Sequence, residues 1–241
     1  MILNNISNIL YSNKNSGLNI KPIDVILTSY NRFDLLEKTL ESFFKYNTYP
    51  INNFYIYDDF GYINLSDEQK KIYREFEVKY KYKVSCILGE QRIGQIKALD
   101  LLTSKVETEY YFTLEEDWEF MHSGFIEKSF ELLQKDDKII QVWLRGRRDT
   151  NNHPTFVKNG EIALKHNYLG MWHGFSFNPG LRRLSDYKKI GSYAKHAEFD
   201  PKNPCNSEAK IGKLYKDLCM YAITTKESYV KHIGYERGIR S

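Results

Sequence analysis

Cysteine is scarce in this sequence. Cys86, Cys205 and Cys219 are the only three in 241 residues, an odd number at wide spacing. That excludes a disulfide framework and a cysteine-based zinc site, and it suits a reducing compartment, so a cytoplasmic setting is expected. Apolar runs of membrane-spanning length are missing, and Met1–Leu10 has neither a basic start nor a long apolar stretch. No transmembrane segment and no secretory signal are expected, and any membrane association would be peripheral. A strong excess of one charge is absent too. Lys and Arg number 35 against 31 Asp and Glu, a formal +4. Without an RNA-module signature, that excess does not point to nucleic acid as a partner. Repeats, low-complexity tracts and long linkers are lacking after residue 20. What remains is 41% hydrophobic and 27% charged, the composition of a globular protein with a real core. Tyrosine is abundant at 19. Its ring packs like an apolar group and its hydroxyl stays polar, which suits sugar stacking and an ordinary core equally.

Residues 1–20, rich in Asn, Ser and Ile, read as an N-terminal extension. From Lys21 the pattern alternates. Ile23–Thr28, Phe54–Tyr57, Lys83–Leu88 and Tyr110–Leu114 are short buried strands, bounded by polar turns. Between them Asp34–Tyr46 places Leu36, Leu40, Phe43 and Phe44 at helical spacing. Ser66 and Gln69 form a capping box that opens a charged helix to about Tyr80, and Ile96–Leu102 continues a helix after Gly94. The order β-α-β-α-β-α-β predicts an α/β fold: a mostly parallel sheet sandwiched by helices. The second half is less regular and predicts a smaller mixed part. A helix is expected over Ser123–Lys135 and a strand over Ile139–Leu144. Residues 150–180 suggest hairpins or a flexible lid. A further helix, Ser207–Leu218, would have Ser207 as its cap, and short strands lie near Tyr221–Thr225 and Tyr229–Ile233.

In parallel sheets ligands bind beyond the carboxyl ends of the strands. Four polar loops fall there: Thr28–Arg32, Asp58-Asp59, Gly89–Gly94 and Glu115–Asp117. Any α/β protein needs polar turns at strand ends, but four turns carrying acids or glycines favour a single site. Glu115-Glu116-Asp117 is the most informative. Adjacent carboxylates leaving the buried strand YYFTL repel one another and favour a hard cation, Mn²⁺ or Mg²⁺, with positions open for phosphate oxygens. A diphosphate bound there becomes a better leaving group. A solvated acidic turn is the commoner fate of three acids; the place between an apolar strand and Trp118 favours the cation. Arg145, Arg147 and Arg148 offer forks for phosphate or form a solvated turn. Of Trp118, Trp143 and Trp172, only Trp172 lies in a loop suited to an acceptor.

The ordered set DVILTSYNRFDLLEKTLESF, YIYDDFG, RIGQIKALDLL and YYFTLEEDWEF resembles the nucleotide-sugar-dependent glycosyltransferases of the GT-A fold, of the family 2 type. The resemblance covers about residues 23–120 and continues more weakly beyond, where HGFSFNPGL (His173–Leu181) and the following LRRLSDYKKIGSY (Leu181–Tyr193) look like the family's glycine-containing donor-side loop and the helix after it. It implies a Rossmann-like GT-A domain, with residues 21–120 as the nucleotide-sugar-binding half and 121–241 as the acceptor-binding and catalytic half. It implies nucleotide contacts from Thr28, Ser29, Tyr30, Asn31 and Arg32, with Asp58 reading the uracil ring and Asp59 able to substitute. Arg92, Gly94 and Lys97 would approach the phosphates, and Glu116 sits in the acidic motif beside them. Asp117 and His232 would hold the metal, with Glu115 the less well matched acid. Trp172, His173 and Gly174 would form the donor and acceptor loop. Glu208 stands where such enzymes keep a catalytic carboxylate, with Glu198 and Asp200 as competitors; as a plain helix-start acid it would only favour the helix dipole. The activity so implied is metal-dependent transfer of a hexosyl group from a nucleoside-diphosphate sugar, UDP-sugar above all, to a glycan, protein or lipid-linked acceptor hydroxyl, with inversion. A degenerate glycan-binding module and a nucleotidyltransferase are the alternatives. The latter normally has a glycine-rich basic loop after its first strand, which TSYNRFD is not.

Overall fold

Val25 and Leu27 of strand β1 (Ile23–Ser29) enter one core cluster and Ile26 the other, and all seven residues of the strand are buried. Successive side chains leave a strand on opposite faces, so a strand covered on both sides reads as a continuous apolar run. That is the signal in IDVILT. The structure, a computed structural model, describes residues 21–80, 84–197 and 206–234. The expected extension over 1–20, together with Lys83, Glu198, Asp200 and Cys205, lies outside the described residues.

Strands β2 (Ile51–Asp58) and β4 (Tyr110–Glu115) flank β1 in parallel, β3 (Val84–Leu88) lies outside β2, and β9 (Gly180–Arg183) runs antiparallel outside β4. Ser29 pairs in register with Asp58, and Thr28 with Glu115. The three chains therefore leave the sheet side by side, and their loops share one rim.

Helix α1 (Phe33–Tyr46) buries Leu36, Leu40 and Phe43, spaced by four and three residues along one stripe. Phe43 is a hub, with its ring centroid 5.2–6.0 Å from those of Phe54, Phe112, Phe120 and Phe125. Helix α2 (Asp67–Lys79) begins at the expected capping box, Ser66 and Gln69 exchanging side-chain and backbone hydrogen bonds. Helix α3 (Gln95–Thr103) covers the other face with Leu99 and Leu102, beside Ile26 and Tyr111. The fold is thus the α/β, mostly parallel, helix-covered sheet that the alternation predicts.

Beyond residue 120 lie α4 (Phe125–Leu133), β6 (Ile139–Trp143), the hairpin β7 (Thr155–Lys158) and β8 (Glu161–Leu164), α5 (Leu184–Ile190), α6 (Asn206–Asp217) and β10 (Tyr221–Thr224). A mixed sheet has the order β6-β10-β8-β7. A two-stranded pair joins β5 (Trp118–Phe120) to β11 (Val230–His232), with His232 opposite Trp118.

Two local expectations are corrected. Leu181–Tyr193 is not one helix: its start is strand β9, and α5 begins only at Leu184. Its two adjacent arginines are both buried, with donors engaged. Arg182 donates to Thr113 Oγ1 at 3.0 Å and to the Ser176 carbonyl at 2.5 Å. Arg183 donates to the Ile139 carbonyl at 2.7 Å and to the Leu133 carbonyl, and meets Asp186 at 3.1 Å. Ser207 is not a cap; it lies inside α6 with its side chain buried. Strand β5, three residues long, carries too short a period to be read from sequence.

Candidate active site

Each acid of the turn from β4 into β5 has its own partners. Glu115 ends β4. Its Oε1 accepts from Gln95 Nε2 at 2.6 Å, and its Oε2 accepts from the Trp118 indole at 3.2 Å. Glu116 Oε1 accepts from Arg32 Nε at 2.7 Å, lies 2.7 Å from Arg32 Nη2, and accepts from the Tyr30 amide at 3.2 Å. Asp117 Oδ2 is 3.0 Å from Arg32 Nη2 and 3.4 Å from His232 Nε2. Thr39 of α1 supports the turn from behind: its hydroxyl donates to the Glu116 carbonyl at 2.6 Å and accepts from the Trp118 amide at 3.2 Å. Gly234 closes over Asp117, since a Cβ there would stand 2.4 Å from Oδ2.

Burial and mutual repulsion set the charges. Burial pushes the Glu115 carboxyl well above its ordinary range, and the charges of Asp117, Glu208 and Glu116 add to the shift. Burial also raises Glu116, to about 7, against the pull of Arg32. Asp117 is the exception. Burial opposes its charge, but the bond to His232 and the nearby Arg32 outweigh it and hold the group below the usual carboxylate range.

Glu208 stands in the first turn of α6. Its Oε1 accepts from the Phe177 amide at 2.5 Å and the Ser176 hydroxyl at 2.9 Å. Burial raises its pKa, while these two donors and Arg182 oppose the shift. Its charge is one of those that push the Glu115 carboxyl upward.

The loops after β1 and β3 are held by the paired acids after β2. Asp58 is buried and accepts three hydrogen bonds. Its Oδ2 accepts from the Asn31 amide at 3.0 Å and from the Tyr73 hydroxyl, and its Oδ1 from the Phe60 amide at 2.9 Å. Asp59 gathers the next loop, accepting from the Ile93 amide at 2.7 Å and the Gly94 amide at 2.9 Å. Gly94 has φ +86°, a conformation that favours glycine. Arg92, 3.9 Å from Asp59, lays its guanidinium 4.7 Å from the Tyr30 ring centre, and Tyr30 meets Phe60 edge-on at 5.5 Å. Thr28 and Ser29 are buried in β1, whereas Lys97 is exposed on α3.

The structure brings Tyr30, Arg32, Glu115, Glu116, Asp117 and His232 together by direct contact or adjacency. Trp172, His173 and Gly174 have other contacts. Tyr168 and Trp172 form a bridge, His173 Nδ1 accepts from the Asn167 amide at 3.2 Å, and a Cβ on Gly174 would meet Leu164 at 3.1 Å. Arg145 lies 5.3 Å over the Trp118 ring and pairs with Asp149 at 2.8 Å, leaving Arg147 and Arg148 exposed. Sequence reasoning missed Gln95, Thr39, Ser176 and Arg182. Of these only Gln95 carried a signal, as the first helical residue after a glycine at the sheet rim.

Asp117 and His232 are an oxygen and an imidazole donor of the kind that Mn²⁺ accepts. Among the described residues no group of three or more such side chains is placed to hold a metal ion. Two protein ligands fit a cation whose remaining positions are filled by phosphate oxygens and water. No helix among the described residues is long and apolar enough to cross a membrane.

Solved structures share this arrangement of elements. The mannosyltransferase PcManGT from Pyrobaculum calidifontis, solved with GDP-Man and Mn²⁺, superposes with a TM-score of 0.66 and 15% identity, over 90% of this chain and 59% of that one. S. aureus TarS gives 0.59 and 14%, over 87% of this chain and 36% of TarS. TarS 1–349 in complex with UDP gives 0.54 and 14%, over 87% of this chain and 60% of that one. The chain therefore spans only about a third to three fifths of the length of these neighbours, whose likeness establishes the GT-A fold. Among curated proteins no sequence matches. The profile described as Glycosyl transferase family 2 matches residues 24–191, from the start of β1 past the end of α5, and so takes in the acidic turn and the loops after β1, β2 and β3. On that match the chain belongs to glycosyl transferase family 2.

Proposed function

We propose that the chain transfers a hexosyl group from a nucleoside-diphosphate sugar, UDP-sugar first, to an acceptor hydroxyl with inversion, and that a divalent cation assists. The observation that carries the reading is Asp117: a carboxylate at the sheet rim, held below the usual carboxylate range, whose Oδ2 faces His232 at 3.4 Å and Arg32 at 3.0 Å. Asp117 and His232 would hold Mn²⁺ or Mg²⁺. When bound, the cation neutralises charge that develops on the departing diphosphate.

The chain's own residues supply the rest. Residues 21–120 form the donor half of the reading and 121–241 the acceptor half. Tyr30, backed by Arg92 and Phe60, offers an aromatic face for the nucleobase, and Asp59 sets the Ile93–Gly94 amides beside it. Arg92 and Lys97 are exposed cations for the diphosphate. Thr28, Ser29 and Asp58 act from beneath, as the floor that fixes the Tyr30–Arg32 loop. Glu208 takes the proton of the acceptor hydroxyl as its oxygen attacks the anomeric carbon. The Phe177 amide and Ser176 hydroxyl engage Oε1 of Glu208, so Oε2 is the oxygen assigned to the proton. Trp172, with His173 and Gly174 fixing its loop, is assigned to the acceptor.

The test is calorimetric binding of UDP, GDP and their sugars with Mn²⁺, followed by turnover with Asp117→Ala and Glu208→Gln. Both nucleotides belong in it because PcManGT was solved with GDP-Man and TarS 1–349 with UDP. Loss of transfer with retained folding supports the enzyme. Saturable nucleotide-sugar binding with no turnover of any acceptor would favour a glycan-binding module.

A further inference from the structure

Arg32 stands in an unexpected place for a residue assigned to the nucleotide. Its guanidinium faces inward, with Nε and Nη2 both 2.7 Å from Glu116 Oε1 and Nη2 3.0 Å from Asp117 Oδ2. Only 17% of the side chain is exposed. The Asp117 oxygen it meets is the same Oδ2 that faces His232, and Gly234 closes a third side. A divalent ion taking Oδ2 and His232 Nε2 as ligands would therefore meet a fixed positive charge on its first carboxylate oxygen. Like charges in a poorly solvated site repel strongly.

We propose that Arg32 is a positioning residue that acts as an internal counter-ion: it holds the acidic turn together without metal, competes with the cation for Asp117 Oδ2, and so makes cation uptake depend on the diphosphate. This rests on the assignment of the cation to Asp117 and His232. Two opposing effects define it. The guanidinium neutralises buried Glu116, whose charge would otherwise lack compensation, and this favours the folded turn. The same charge disfavours a free divalent ion. A diphosphate arriving with the ion brings negative charge that offsets both cations, so ion and nucleotide enter as a unit.

The experiment is Mn²⁺ titration of the full chain, by calorimetry or by the EPR signal of free Mn²⁺, alone and with saturating UDP or GDP. Arg32→Gln should bind Mn²⁺ alone at least about tenfold more tightly than the parent, about 1.4 kcal/mol. The enhancement of Mn²⁺ binding by nucleotide should shrink correspondingly, and the metal-free Tm should fall. The double variant Arg32→Gln/Glu116→Gln removes the pair without leaving a lone buried charge, so its Tm should recover while tighter binding of Mn²⁺ alone persists. Unchanged or weaker Mn²⁺ binding in that folded double variant overturns the proposal. Asp117→Asn separates this from failure of the underlying assignment. If Mn²⁺ binding survives Asp117→Asn, the metal site itself is misassigned; if it is lost there yet indifferent to Arg32, only the counter-ion role fails.

Discussion

Asp117 and His232 are 115 residues apart in sequence and 3.4 Å apart in space, brought together by the pairing of β5 with β11. Trp118, opposite His232 in that pair, packs its ring 4.8 Å from the imidazole and so limits where it can turn. The last described strand thus completes a site that the first four begin. It ties the carboxyl end of the described chain to the rim where β4 ends.

Gly234 tests how tightly that pairing is set. A methyl group there would overlap Asp117 Oδ2 at 2.4 Å and Cγ at 2.9 Å, so Asp117 or the Ile233–Gly234 backbone must shift. Gly234→Ala is expected to weaken Mn²⁺ binding at least about tenfold and transfer by about 10²-fold, since small displacements of a site group cost that much. Circular dichroism should be unchanged. Parent-like Mn²⁺ affinity in the variant would remove Asp117 from the cation site.

Glu208 sets the pH dependence. A general base works only when ionised, so kcat/KM must fall as pH drops through its pKa. Burial raises that pKa, so the acid limb is expected above the ordinary carboxylate value of 4.5. Glu208→Gln should lower kcat by about 10²–10⁴-fold and abolish that limb, with nucleotide affinity retained. A variant that keeps both rate and limb would exclude Glu208 as the base.

The half of the molecule written in regular periods was legible in advance. Val25, Ile26 and Leu27 announce a strand covered on both faces, and Ser66 with Gln69 marks the start of α2 within a residue. The rim position of Glu115–Asp117 followed from strand order alone. What stayed hidden depends on long-range pairing. Nothing local in Arg182 and Arg183 says that Thr113, Ile139 and Leu133 will take up their donors. Arg32 stood among the nucleotide contacts, because its partners lie 84 and 85 residues away in sequence. Asp58 likewise gave no local hint that Tyr73 and the Asn31 amide would occupy it.

Asp24 offers a test of stability apart from function. It is fully buried at the start of β1, about 17 Å of strand from the rim. It accepts from the Asn53 amide at 3.1 Å, the Asn52 side chain at 2.9 Å and the Glu107 amide at 2.7 Å. Asp24→Ala strands those donors and is expected to cost about 3–5 kcal/mol, by analogy with breaking a buried charged network. Urea denaturation would register the loss. Nucleotide affinity of the remaining folded protein should be unchanged; a matching fall would show that the two ends of β1 are coupled.

The two described cysteines should differ sharply in reactivity. Cys86, on β3, has its thiol pushed up to about 12 by burial, with the charges of Glu77 and Asp58 adding to the shift. The thiolate is the nucleophile, so at pH 8 only about one Cys86 in ten thousand is reactive even before access is counted. Cys219 is exposed in the turn between α6 and β10. In a Cys205→Ser background, iodoacetamide is expected to modify Cys219 within minutes and Cys86 only after denaturant is added, with peptide mass spectrometry reading the order. Early labelling of Cys86 under native conditions would mean that the β3 edge opens readily. That would weaken the case for a rigid floor beneath the Asp58 loop, because β3 is the strand that pairs with Asp58 in register.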